Sequence, residues 1–584
     1  MPSLTRIWTM MTRAIELLAF SKLVIRIFAL ASMLLLGGCK KENPLQSPYM
    51  APFRHLTKDS FALVFLSNVE GYVEPCGCTP DPLGGIARFA AVFRKIGDAF
   101  SQNIALIDTG NLLFDSLTRN DADLCQDNAR IDLLLSTMVD LGLKSVFLGP
   151  YDRARGTKYS DNLWQKYALT YLAPLGQIGP RPSPWSHVNI VHGEDFDISI
   201  MGVELSEKKS ALELRKNIEN GVKDISKNRR NKATIVISQM PLSLTKEVFS
   251  LLPGVDVVIQ SQSASFSIAR PERLGENGPI LVEGGRQNQY LTVLTLENLS
   301  KRTTKPLKLD IREFERKEKA ELLTSRISSL QKQIEHAEGA RLDFLNERIE
   351  LAKNEYAALN REDYSAALTE PGVVFTALAL TRKIEADRAV NKSLITYEKN
   401  VPFLVKQCEA NLKCPKSDAH EARYVGANTC KACHAQAFVV WEDAVFTRKA
   451  LDEAGHTVTR SIGHSKAWQT LLDGNKDQDR SCVGCHSVGF MEKGGYCKVS
   501  EVASLKNVQC ESCHGPGSLH AQSGDKNFIR RQVTEQTCRG CHHVPHIESY
   551  DSFNYEEKLL KILGPGHGDS LLKEITHKLK ASDS

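Results

Sequence analysis

Four times the chain places two cysteines three residues apart and follows the second with a histidine. The stretches are Cys430-Lys-Ala-Cys433-His434, Cys482-Val-Gly-Cys485-His486, Cys510-Glu-Ser-Cys513-His514 and Cys538-Arg-Gly-Cys541-His542. At that spacing one turn of backbone presents both thiols to the two vinyl groups of a haem. The adjoining imidazole then reaches the iron from the proximal side. A single such stretch would equally suit a zinc half-site or a thioredoxin-like thiol pair. A zinc site does not require a histidine after every second cysteine, and here all four have one. The expectation is four covalently bound haem c groups. Cys430, Cys433, Cys482, Cys485, Cys510, Cys513, Cys538 and Cys541 would attach them, and His434, His486, His514 and His542 would ligate iron.

Distal ligands must come from the remaining histidines of the tail: His456, His464, His520, His543, His546, His567 and His577. Any one of them taken alone reads as a solvated surface residue. His520 follows Gly515-Pro516-Gly517, and His567 follows Gly564-Pro565-Gly566, tight turns that can throw an imidazole across to a neighbour. Iron held by two histidines can only pass electrons, whereas iron with an open side can bind a small molecule.

The stretches Tyr424-Val-Gly-Ala-Asn-Thr-Cys430, Asn507-Val-Gln-Cys510 through His520, and the closing Gly-Pro-Gly-His567-Gly resemble the nitrifier tetrahaem cytochromes of the five-fifty-four type. The resemblance covers the last quarter of the chain. It implies that His434 pairs with His520, His514 with His567 and His542 with His464, leaving the His486 haem five-coordinate. It also implies electron transfer as the activity, with nitrogen-oxide or hydroxylamine chemistry at an open iron as the alternative. The segment from His434 to His464 is longer here than in that family and contains His456, so the ligand of the fourth haem is the least determined.

What positions these groups differs sharply from what precedes them. Of 15 cysteines and 16 histidines in 584 residues, most lie from Cys408 onward. Residues 426–584 have few long apolar runs, so the haems themselves are expected to supply the interior of that segment. The whole chain carries 74 Lys plus Arg against 69 Asp plus Glu, a formal +5. So small an excess leaves no nucleic-acid footprint. The length implies several domains.

At the N-terminus, basic residues precede the apolar run Ile27 to Leu36, followed by Gly37-Gly38-Cys39. This reads as an export signal and resembles the bacterial lipoprotein signal in which the cysteine, here Cys39, is lipidated; a plain secretory signal and an uncleaved anchor are the alternatives. The expected location is the bacterial cell envelope, on the periplasmic or outer surface, with residues 1–39 as signal and 40–58 as tether.

Residues 59–310 alternate apolar runs with helical patterns. Strands are expected at 61–66, 104–108, 145–148, 198–201, 234–238 and 255–259, with helices across 88–93 and 131–141, giving α/β layers. The framework Asn68-Val-Glu70-Gly71, Asp108-Thr-Gly110-Asn111, Leu148-Gly149-Pro150-Tyr151-Asp152 and Ser238-Gln239 resembles the calcineurin-like metallophosphoesterases, especially periplasmic 5'-nucleotidases. In that family these positions ligate two metals. Here Asn68, Glu70, Asn111, Pro150, Tyr151, Gln239, Gln262 and Ala264 stand where carboxylates, an asparagine and histidines are required. The resemblance therefore implies the scaffold without hydrolysis, with Glu70, Asn68 and Asn111 able to hold at most one weak ion. Cys76-Gly77-Cys78 follows the first strand, at the end where open α/β sheets bind ligands. It reads as a structural disulfide, for instance to Cys125, as a soft-metal pair, or as a redox dithiol that exchanges electrons with the haems.

Leu323, Ile327, Leu330 and Ile334, then Leu342, Leu345, Ile349 and Ala352, form heptad seams on either side of Gly339. Residues 311–362 read as a helical coiled-coil segment, either a hairpin or one long helix, through which two copies could pair. Residues 363–425 read as a small extension with a strand pair and a helix. Cys408 and Cys414 are placed to bridge, and Cys497 is left without a partner. The expected fold is multidomain: an α/β metallophosphoesterase-like layered sandwich, a helical segment, and a mainly α or irregular multihaem cytochrome c domain at 426–584. The expected function is electron transfer between redox protein partners. Open-haem oxidoreductase and altered-metal phosphoester hydrolase are the alternatives.

Overall fold

The computed structural model describes residues 47–54, 56–57, 60–76, 82–100, 103–175, 185–205, 210–250, 252–261, 268–303, 305–334, 337–359, 368–444, 446–451, 457–499, 503–542, 553–564, 566–567, 571 and 573–577. Cys39, Cys78, Gln262, Ala264, His456, His543 and His546 lie outside them.

Two sheets carry the first half. One runs in the order Lys308–Asp310, Gly372–Ala379, Tyr290–Glu297, Ser60–Leu66, Ile104–Asp108. The other runs Glu272–Arg273, Ile280–Glu283, Val257–Gln260, Asn231–Gln239, Asp197–Glu204, Asn189–His192. The central strands of the second sheet are parallel. They read as unbroken apolar runs because both of their faces are covered.

The pleat sorts each run into two cores. Phe61, Leu63 and Phe65 meet Ile198, Ile200, Ile235, Ile237 and Ile259 between the sheets. Ala62, Val64 and Leu66 turn the other way, onto the helices Ile86–Phe100 and Leu124–Asp140. On the far side Met201, Val203, Val236 and Val258 pack under the helices Ala211–Ile225 and Leu242–Phe249. The order is therefore helices, sheet, sheet, helices, as the period-2 alternation requires.

Three expectations change. The first sheet does not end at residue 310, because Gly372–Ala379 pairs antiparallel with Tyr290–Glu297 along its full length. The strand pair expected in 363–400 is instead this one strand, taken up by the larger sheet, followed by the helix Arg388–Glu409. Cys408 and Cys414 do not bridge each other. Cys408 joins Cys125, 283 residues away, and Cys414 joins Cys497. Cys408 sits in the last turn of its helix, which packs on Leu124–Asp140. Cys414 lies beyond the helix end and turns to the tail.

The heptad stretches form two helices, Arg312–Ile334 and Ala340–Leu359. They pack as a hairpin around Leu323, Ala352 and Leu359, and Gly339 turns between them at φ 56°. Among the described residues no helix is long and apolar enough to cross a membrane.

The tail is built of short helices and turns, with one antiparallel strand pair, Phe446–Leu451 against Thr457–Ile462, that the sequence reading did not expect. It has a side-chain core after all, borrowed from the front. Trp468, Leu471, Val483, Val488, Tyr496, Val499 and Leu505 belong to the same buried cluster as Ile131, Leu134, Val401 and Val405. Among the described residues, only the part of the tail around Cys482 gains this support.

Candidate functional site

Each Cys-x-x-Cys-His stretch forms one tight turn of helix. The His434 amide donates to the Cys430 carbonyl at 2.9 Å, and that of His542 to the Cys538 carbonyl at 2.8 Å. Cys510–His514 is a helix outright, and Cys482 closes the helix Arg480–Val483 before the turn Gly484–His486. All eight cysteines are unpaired, while the four disulfide cysteines are consumed elsewhere. Among the described residues no three His, Cys, Asp or Glu side chains converge as a metal cage. The cysteines are thus laid out as pairs, not as tetrahedral sets.

Distant imidazoles meet. The His434 and His520 rings lie 6.1 Å apart between centroids with an interplanar angle of 28°, and His464 and His542 lie 6.1 Å apart at 50°. Two metal–imidazole bonds of about 2 Å each, plus the depth of each ring, put facing centroids roughly 6 Å apart. The spacing leaves room for one metal ion between the rings. His567 lies within electrostatic reach of His514 and His434. Among the described residues no ring contact joins His486 to a second imidazole.

The far nitrogens are held by backbone carbonyls. Nδ1 of His486 contacts the Ala467 carbonyl at 2.5 Å, Nδ1 of His514 that of Arg530 at 2.7 Å, and Nδ1 of His520 that of Asp525 at 2.9 Å. Such a bond fixes Nδ1 as the N–H and leaves Nε2 as the bare ligand. Phe553 stacks on His542 at 5.1 Å. Nδ1 of His567 is buried without a partner. Burial, then the neighbouring His542, pushes His464 down to about 4. Burial likewise lowers His486 and His567. All three are therefore neutral at physiological pH, the form a metal ligand needs.

The thiols show how the four turns are arranged in space. The Cys430 thiol hydrogen-bonds that of Cys510, and the Cys485 thiol that of Cys541. Cys513 lies near Cys538, and Cys541 near Cys513. The first turn therefore abuts the third, the third the fourth, and the fourth the second. Sequence reasoning missed this order, because nothing local encodes which turn touches which.

The second turn ends against the α/β layers. Arg480, buried, donates from Nε to Asp123 at 2.7 Å and from Nη1 to Glu409 at 2.6 Å, and its guanidinium lies over Phe490 at 4.8 Å. Gln126 donates to Asp479 at 2.5 Å, and Asp479 caps the helix that carries Cys482.

In the front unit the amides at positions read as lost metal ligands bond to each other and to nearby backbone, and Gln239 Oε1 is buried with no partner among the described residues. Asn111 donates to Asn68 at 2.9 Å, Asn68 to the Ser261 carbonyl at 2.7 Å, and Gln239 to the Thr109 carbonyl at 3.3 Å. Glu70 does not turn to Asn68 and Asn111 for an ion, as the sequence left open. Arg286 pairs with it, and Gln287 donates to it at 2.9 Å. Asn68, Glu70 and Asn111 all keep positive φ, a backbone shape rare outside glycine. Asp108 and Asp152 accept backbone amides, and burial raises both, Asp152 to about 6. Cys76 is the last residue of the strand Pro75–Cys76, which pairs with Leu83–Gly84.

Residues 429–515 match the family model described as cytochrome c554 and c-prime. A curated relative, cytochrome c-554 of Nitrosomonas europaea, is 33% identical over 159 residues, which is 24% of this chain and 66% of that protein, just under two thirds of its length. The resemblance drawn from the tail motifs holds for this segment. Among solved structures, the chain is similar to a 5'-nucleotidase precursor from Thermus thermophilus, at 13% identity and TM-score 0.39 over 71% of this chain and 74% of that one. It is also similar to the sulfate thiohydrolase SoxB of the same organism, at 11% identity and TM-score 0.37 over 67% and 69%. With both scores below 0.5, the layered architecture rests on the strand pairing described above.

Proposed function

We propose that this chain is an exported, lipid-anchored c-type cytochrome carrying four haems, which passes electrons within the cell envelope. The observation that carries this reading is the pair of facing imidazoles, His434 with His520 and His464 with His542, each 6.1 Å apart and each beginning from a Cys-x-x-Cys-His turn. Bound haem would supply a one-electron couple at each iron. The chain's own residues do the rest. The eight cysteines anchor the porphyrins, and His434, His486, His514 and His542 ligate from one side. His520, His567 and His464 close the other side of three irons, and backbone carbonyls hold the rings in place. The contacts between thiols of neighbouring turns support a continuous path running first, third, fourth, second.

The α/β unit serves as a cover for the second turn, since its Asp123, Gln126 and Glu74 engage the residues that flank Cys482. Its degenerate site is filled by its own amides, which supports a docking role over hydrolysis. Cys39 is the lipid attachment point, and Cys76 with Cys78 remains a thiol pair able to exchange electrons. A second reading, reduction or oxidation of a small nitrogen compound, is favoured by one observation. Among the described residues His486 has no facing imidazole, so one iron would stay open.

The test is mass spectrometry of the mature protein made in a host competent for cytochrome maturation, followed by spectra with nitric oxide. Four haem masses support the carrier. A polypeptide of apoprotein mass refutes it. Entirely six-coordinate spectra unaffected by nitric oxide refute the second reading.

A further inference from the structure

We propose that Glu74 of the α/β unit is a proton-binding group coupled to reduction of the haem carried by Cys482 and Cys485, so that the front domain makes one step of the electron path pH-dependent. The inference rests on the haem reading above.

The seam between the α/β unit and the second turn is a half-buried charge cluster. The Lys476 ammonium pairs with Glu74 at 2.5 Å and with Glu398 at 3.2 Å. Asp479 lies within electrostatic reach of both Glu74 and Lys476. Three carboxylates thus gather around one ammonium where water is scarce. The phenol of Tyr397, on the helix that carries Glu398, faces both Glu74 and Asp479, and the Arg130 guanidinium lies within reach of Tyr397 and Asp479. Oε2 of Glu74 takes the lysine, and among the described residues Oε1 is buried with no hydrogen-bond partner. An unpartnered carboxylate oxygen in such a place is stabilised by a proton. Burial, with Glu398 and Asp479 adding to it, holds this carboxyl up to about 7 against the pull of Lys476.

Glu74, Lys476 and Asp479 all act on the Cys482 sulfur, the point where the porphyrin edge is attached. Reduction of the haem attached at that sulfur would add one negative charge beside the cluster. Glu74 answers by taking one proton from water. The balance is one electron in from a one-electron reductant and one proton in, with no change in net charge. Glu74 is 402 residues from Lys476 in sequence and on a different domain, so no local signal marks the coupling.

The test is a haem-resolved spectroelectrochemical titration of the full holo-protein from pH 5.5 to 9, poised with dithionite and mediators. One haem of the wild type should lose potential with rising pH near neutrality, approaching 59 mV per tenfold change in proton activity. Glu74→Gln should flatten that slope and leave the other haems unchanged. Glu398→Gln, at a more exposed carboxylate, should move the sloping region to lower pH. Four haems by mass with the same slope in wild type and Glu74→Gln overturn this proposal and leave the cytochrome reading intact. Absence of haem overturns both.

Discussion

Replacing Arg480 by methionine removes a buried cation that ties the tail to the front. The Arg480 side chain is 1% exposed and that of Glu409 is 6% exposed. Glu409 also accepts the Val499 amide on both oxygens at 3.1 Å, and Arg480 holds the Cys497 carbonyl at 3.0 Å. Loss of the guanidinium leaves a buried carboxylate with only one amide donor. Breaking such a pair costs roughly 3–5 kcal/mol, and the orphaned carbonyl adds about 1 kcal/mol. Asp123, at 19% exposed, recovers part of its share from water. The expected loss is about 4 kcal/mol in denaturant unfolding of the holo-protein. Arg480→Met combined with Glu409→Gln removes the stranded charge, so the double variant should recover about 2 kcal/mol. Chemical denaturation of the four members of the cycle, with disulfides intact, measures both numbers. A single variant that loses less than about 1 kcal/mol, or a double variant no better than the single, would refute the idea that this buried triad holds the two parts together.

Non-reducing peptide maps should contain Cys125 linked to Cys408 and Cys414 linked to Cys497; a Cys408–Cys414 peptide would contradict the fold. Cys497→Ser should cost roughly 2–4 kcal/mol, the usual worth of a disulfide, in the same unfolding assay. Asp127 is buried, which alone would raise it, but Arg130, Arg119 and Arg155 outweigh burial and hold it below 3.8. A carboxyl depressed in the fold stabilises above its unfolded pKa and loses that contribution as pH falls through the folded value. Asp127→Asn should therefore destabilise at pH 7, and the gap from wild type should close below about pH 4. His520→Met should alter the spectrum and potential of a single haem and keep the haem mass count, whereas Cys510→Ala with Cys513→Ala should remove one haem mass.

The Cys-x-x-Cys-His turns were legible because they are local: two thiols and an imidazole within one helical turn are visible in five residues. The strands were legible for the same reason, since Phe61-Ala-Leu-Val-Phe-Leu66 states its own two-faced burial. The heptads announced the helices but left a hairpin and one long helix both open, and only the packing of Leu323 on Ala352 and Leu359 decides for the hairpin. The pairing of Cys408 was misread because closeness in sequence stood in for closeness in space. A helix end separates it from Cys414, and each sulfur faces a different body. The insertion of Gly372–Ala379 into the first sheet depends on a register with Tyr290–Glu297 that no single segment reveals. The seam at Arg480 and Lys476 escaped because its charges read as ordinary surface residues until another domain covers them.

The strand Gly372–Ala379 also governs how the molecule can be cut. It enters the sheet beside Tyr290–Glu297 only after the helical hairpin has been made, and Cys408 locks it in soon afterwards. A product stopped near residue 360 would leave a long apolar edge open to any passing strand, a recipe for clumping. Expression boundaries that respect the fold must therefore include residues up to 409 with the first half. Freeing the tail at 426 in turn strips the apolar lining from beneath its second Cys-x-x-Cys-His turn, so the two halves are best handled as one piece.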